Sequence, residues 1–74
     1  IEEFNDDYNW STNGTNTFTI SGATTAKIGD LVTLIGLPHR IVTLDADKKG
    51  GTLDRVVGST SSSNPKFFRY KYII

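Results

Sequence analysis

The chain has 74 residues, eight acids balanced by eight bases, and no cysteine. That length gives one domain near the lower limit of what a hydrophobic core holds together unaided, and no disulfide framework or thiolate metal cluster is available to help. Zero net charge argues against a general nucleic-acid binder, whose footprint is a strongly basic surface.

No run approaches the ~20 apolar residues of a membrane helix, and no signal-peptide pattern is present. The chain begins at Ile1 and lacks methionine, which reads as a piece or processed product of something longer. Its charge is unevenly placed. Glu2, Glu3, Asp6 and Asp7 open the chain without a base, and Lys66, Arg69 and Lys71 close it without an acid. Either the two ends lie side by side and neutralise each other, or each faces a different neighbouring subunit.

Residues 1–16 are rich in Asn, Asp, Ser, Thr and Gly, which bond to their own backbone and prefer turns. They read as an N-terminal arm, with residues 17–74 as the domain proper. The arm carries Phe4, Tyr8 and Trp10, aromatics too costly to leave in water, so it packs on its own domain or on another chain. Thr17 to Ile20 alternates polar and apolar, predicting a half-buried strand with Phe18 and Ile20 on one face. Ala23 to Ile28 reads as a turn.

Gly29-Asp30 then opens a strand, Leu31 to Ile35, apolar on both faces. Gly36-Leu37-Pro38 breaks it, because proline cannot donate to a ladder. His39 to Leu44 predicts the next strand, Asp45 to Gly51 a loop, and Thr52 to Val57 a third strand. Gly58 to Pro65 reads as a polar flexible loop. Lys66 to Ile74 predicts a closing strand with Phe68, Tyr70, Tyr72 and Ile74 on the buried face and Phe67, Arg69, Lys71 and Ile73 on a mixed one. Together these predict an all-β fold: a small five-stranded SH3-like or OB-like barrel built on a meander, since closure removes exposed strand edges.

Catalytic signals are thin. His39 is the single histidine and stands beside Arg40 at a strand start, a structural or contact position rather than a positioned base. Asp45-Ala46-Asp47 imitates the front of a calcium loop, but Lys49 occupies a ligand position and Val56 stands where a bidentate Glu belongs. No glycine-rich phosphate loop is present, and no cofactor or metal is expected. The chain is read as a non-enzyme.

Lys27-Ile28-Gly29-Asp30-Leu31-Val32-Thr33-Leu34, then Gly36, Arg40-Ile41-Val42, the Asp45 to Gly51 turn and Leu53 follow a pattern of small β-barrels. This stretch resembles the barrel modules of tailed-bacteriophage particles, of the head–tail joining and tail fibre or tailspike attachment types. The Asn- and Thr-rich opening is similar to phage or surface structural protein. The resemblance implies a virion component that works by protein–protein contact with other subunits, as a homo-oligomer or larger assembly; the neutral charge argues against nucleic acid as the partner, and no membrane is expected.

The residues expected at such an interface are Phe4, Tyr8 and Trp10 of the arm and Arg69, Tyr70, Lys71 and Tyr72 of the last strand, because Trp, Tyr and Arg dominate interface energetics. A charge-led contact would set the acidic arm of one copy against the basic last strand of the next. Two alternatives share these residues. A single-stranded nucleic-acid-binding barrel would use Phe67, Phe68, Tyr70, Lys66, Arg69 and Lys71. A carbohydrate-binding surface module would use Trp10 and Tyr8 as stacking platforms.

Overall fold

Polar–apolar alternation builds most of the sheet in the computed structural model, which describes residues 1–70. The strands are β1 (Glu2–Asn5), β2 (Asn9–Thr12), β3 (Thr17–Ile20), β4 (Leu31–Leu34), β5 (Leu37–Leu44), β6 (Gly50–Leu53), β7 (Thr60–Ser63) and β8 (Lys66–Arg69). All pair antiparallel in one sheet of order β1-β8-β4-β5-β6-β3-β2-β7, and the described residues contain no helix. The fold is all-β as expected. The five-stranded barrel is not: eight strands form an open sheet with β1 and β7 at its edges.

The sheet bends at β5. Its first half pairs with β4, from Leu37 opposite Leu34 to Arg40 opposite Leu31. Its second half pairs with β6, and the register slips between Ile41 and Thr43, which leaves Val42 as an extra, half-exposed residue. A bulge of this kind sharpens the local twist. The bend turns the apolar faces of the two sheet halves toward one core. Val32, Leu34 and Phe67 come from one half; Trp10, Phe18, Ile20 and Leu53 come from the other. Trp10 stacks on Phe18 with ring centroids 4.7 Å apart, and Phe4 stacks on Phe67 at 5.1 Å.

Residues 1–16 supply β1 and β2, both within the sheet. β1 pairs with β8 and β2 with β7, and the two ladders differ in register by a single residue. They are therefore one ribbon kinked at Asp6, whose backbone N–H donates to Pro65 O at 3.0 Å. This places the acidic and basic ends of the chain side by side: Glu2 is opposite Arg69, and Glu3 lies 3.6 Å from Lys66.

Strands β6, β7 and β8 depart from the sequence expectation, each for a local reason. Gly50 and Gly51, read as turn, are the first residues of β6, and the strand ends at Leu53 instead of Val57. A Cβ on Gly51 would collide with the Thr43 carbonyl, so only glycine lets the two strands approach at the bulge. Thr60 to Ser63, read as flexible loop, pairs with β2 over four residues; the partner strand decides, not the weak propensity of serine. In β8 the faces are reversed: Phe67 is fully buried, Phe68 is half-buried and Tyr70 is 58% exposed. Residues 71–74 of the expected strand lie outside the described residues.

Candidate functional site

The Gly-Asp pair that opens β4 makes a tight turn and a buried charge at once. Asp30 N–H donates to Lys27 O at 3.0 Å, and Gly29 has φ +95°, the conformation a type II turn demands at its third residue. The Asp30 carboxylate accepts from Lys27 N–H at 2.9 Å, which rigidifies the turn. Ile28, at the outer corner, is 62% exposed.

The Asp30 side chain is itself buried and needs a cation. Arg69 provides it as a fork, with Nε 3.0 Å from Oδ1 and a terminal nitrogen 2.8 Å from Oδ2. The guanidinium also lies 4.8 Å above the Phe4 ring. Hydrogen bonding to Asp30 raises the Arg69 pKa above its already high value, against the opposing effect of burial. Arg69 is therefore held in its cationic form beside Asp30.

Around this pair is a groove of about 460 Å³, lined by Lys27, Ile28, Gly29, Asp30, Arg40, Arg69 and Tyr70. Lys27, Ile28, Arg40 and Tyr70 are exposed. Lys27 and Arg40 form no ion pair among the described residues. The groove thus presents one aromatic, one aliphatic and two solvated cations on a floor locked by a bidentate salt bridge. Its volume falls in the range of roughly 300–1,000 Å³ typical of ligand sites.

Of the residues expected at an interface, Arg69 and Tyr70 meet here. Phe4 is half-buried against Phe67, and Lys71 and Tyr72 lie outside the described residues. Tyr8 is 40% exposed and its ring lies flat against Gly22, at the place a Cβ would take. Trp10 is a correction. It is wholly buried, its ring stacked on Phe18 and its indole N–H donated to Asp6 Oδ2 at 2.8 Å, so neither a partner nor a sugar can reach it.

Asp6 is the second buried carboxylate, and its partners are neutral. Besides Trp10 it accepts from Thr24 Oγ1 and, at 3.2 Å, from Tyr8 N–H. Asn64 donates to its backbone oxygen at 3.0 Å, so one residue ties together both strands of the kinked ribbon and the Thr24 loop. Local composition gave no signal for this; an Asp four residues from a Trp is the only trace.

His39 is buried in β5. Its Nε2 lies 3.3 Å from Leu34 O, and its Nδ1 has no partner among the described residues. Asp45 to Gly50 closes as a hairpin turn, with Lys48 N–H donating to Asp45 O and Asp45 N–H to Gly50 O, each at 2.9 Å. Among the described residues no cluster of His, Cys, Asp or Glu is placed to hold a metal ion.

The β4–β5 hairpin was expected to turn through Gly36-Leu37-Pro38. The turn is Ile35-Gly36, with φ of +54° and +71°, the sign pattern of a type I′ hairpin turn. Leu37 and Pro38 belong to β5. A two-residue turn makes Leu34 and Leu37 a hydrogen-bonded pair, so Thr33 and Pro38 form a non-hydrogen-bonded one, where the missing proline N–H costs nothing. Arg55 donates to Pro38 O and Asp54 accepts from Arg40 N–H, bracing the strand behind the turn. Ile35 and Leu37 are 59% and 53% exposed.

No protein-family model, curated protein or solved structure matches this chain.

Proposed function

We propose that this chain is a non-catalytic assembly module that acts by protein–protein contact, and that the groove over Asp30 and Arg69 is its contact site. The observation that carries the reading is the placement of Tyr70, Ile28, Arg40 and Lys27, all exposed, on a floor whose own charges are already satisfied. Binding then leaves the Asp30–Arg69 pair of the floor intact, and tyrosine and arginine are the residue types that dominate interface energy. The resemblance to barrel modules of tailed-bacteriophage particles supports the same reading and suggests a virion component.

Single-stranded nucleic acid is the competing ligand, because Tyr70 with Lys27 and Arg40 offers a stacking ring and two phosphate contacts. Of its other expected residues, Phe67 is buried, Phe68 is half-buried, Lys66 meets Glu3 and Arg69 meets Asp30, while Lys71 lies outside the described residues. The test compares the solution mass of the chain with that of a Tyr70→Ser, Ile28→Ser variant by light scattering. Self-association that both substitutions abolish supports the assembly reading. Unchanged association, or a tight salt-sensitive titration with a labelled oligonucleotide instead, overturns it.

A further inference from the structure

Resting on that assembly reading, we infer that the groove is filled in trans by the tip of the β4–β5 hairpin of a second copy, so that copies join head to tail. The tip has the complementary chemistry. Ile35-Gly36-Leu37-Pro38 is four exposed residues without a charge, and its two large side chains stand out from the hairpin. Neither the Ile35 nor the Gly36 carbonyl accepts a hydrogen bond among the described residues. They can accept from Lys27 and Arg40 while Ile35 and Leu37 pack on Ile28 and Tyr70.

Ile35 is the unusual residue. With φ +54° it holds a conformation that β-branched side chains avoid and that Asn or Gly adopts without strain. Strain of this kind persists where the side chain serves something other than the local fold. An exposed isoleucine there contributes little to its own core, so its use is outward.

The tip cannot reach the groove of its own molecule. Both are built on β4, the groove at Asp30 before its first residue and the tip beyond Leu34 at its last, and a rigid strand holds them apart. Tip and groove are also different surfaces, so their contact is heterologous. Such contacts propagate into rings or open filaments instead of stopping at a two-fold dimer.

That asymmetry gives a decisive test by mixing. One variant carries Ile35→Asn and Leu37→Thr, which suit the turn and the strand and destroy the apolar tip. The other carries Ile28→Ser and Tyr70→Ser, which alter exposed groove positions only. Melting curves check both folds, and the tip variant is expected to melt no lower than the wild type. Light scattering should show the wild-type mass climbing with concentration and each variant staying at one chain. Their equimolar mixture should reach two chains and stop, because one intact tip then faces one intact groove. Wild-type association without such heterodimers would overturn the head-to-tail contact and leave the assembly reading standing. A wild type that stays at one chain up to millimolar concentration would overturn both.

Discussion

Asp30 shows how a single residue can be structural twice. It closes the turn that carries Ile28 and it neutralises Arg69, the cation that forms the groove floor. Arg69 keeps 29% of its side chain exposed, so removing Asp30 strands a cation that water partly reaches, at a cost of about 1–3 kcal/mol, less than for a fully buried pair. The Asp30→Ala variant should lose that much in urea denaturation, whereas Asp30→Ala with Arg69→Met should recover a large part of it. A double variant no better than the single one would mean that the turn, not the charge, is what Asp30 supports. Asp6→Ala should cost about 1–3 kcal/mol by stranding the Trp10 indole N–H and the Thr24 hydroxyl, and the same unfolding curves should show Trp10 fluorescence altered in the folded state. Ile35→Asn should move stability the other way, raising it by about 1 kcal/mol as the left-handed strain is relieved.

The strands were legible in sequence wherever one face was buried by its own pattern. Thr17–Ile20 alternates cleanly, and Phe18 and Ile20 are both in the core. The β4-β5-β6 meander also follows from its punctuation, although the turns fall a residue or two away from the glycines and proline that suggested them. β8 was misread because Lys66 to Tyr70 carries aromatics on both faces. The charge of Arg69 seemed to exclude its face from the interior, but Asp30, thirty-nine residues earlier, makes that face tolerable. β7 was invisible because serine and threonine carry no burial signal, and its strand state depends on β2. At Gly51 the glycine is demanded by a close approach that only the fold reveals. Gly51→Ala should therefore destabilise by about 1–3 kcal/mol through overpacking against Thr43. Gly58→Ala, with open space around its Cβ, should change the denaturation midpoint little.

At the scale of the whole molecule, a zero net charge conceals a local arrangement. The acidic opening strand lies along the basic closing strand, so Glu3 meets Lys66 and Glu2 faces Arg69 within one copy. The exposed Glu3–Lys66 pair is worth about 0–1 kcal/mol and leaves little charge for a neighbour to attract. What one copy offers another is instead a groove edged by Ile28 and Tyr70 with Lys27 and Arg40 as donors, and an apolar hairpin tip of Ile35 and Leu37. The groove's chemistry was half visible in the sequence. Arg69 and Tyr70 stood out as an aromatic beside a base, while Lys27, Ile28 and Arg40 join them only because β4 lies between β8 and β5.

Sedimentation equilibrium of the wild-type chain, run over a wide concentration range at low and at high salt, tests assembly most directly. An apolar contact predicts a mass that rises with concentration and persists at high salt, since screening weakens charge pairs and leaves buried apolar surface effective. The mass of a single chain under every condition would contradict self-assembly, and an association that high salt dissolves would return the contact to the acidic and basic ends.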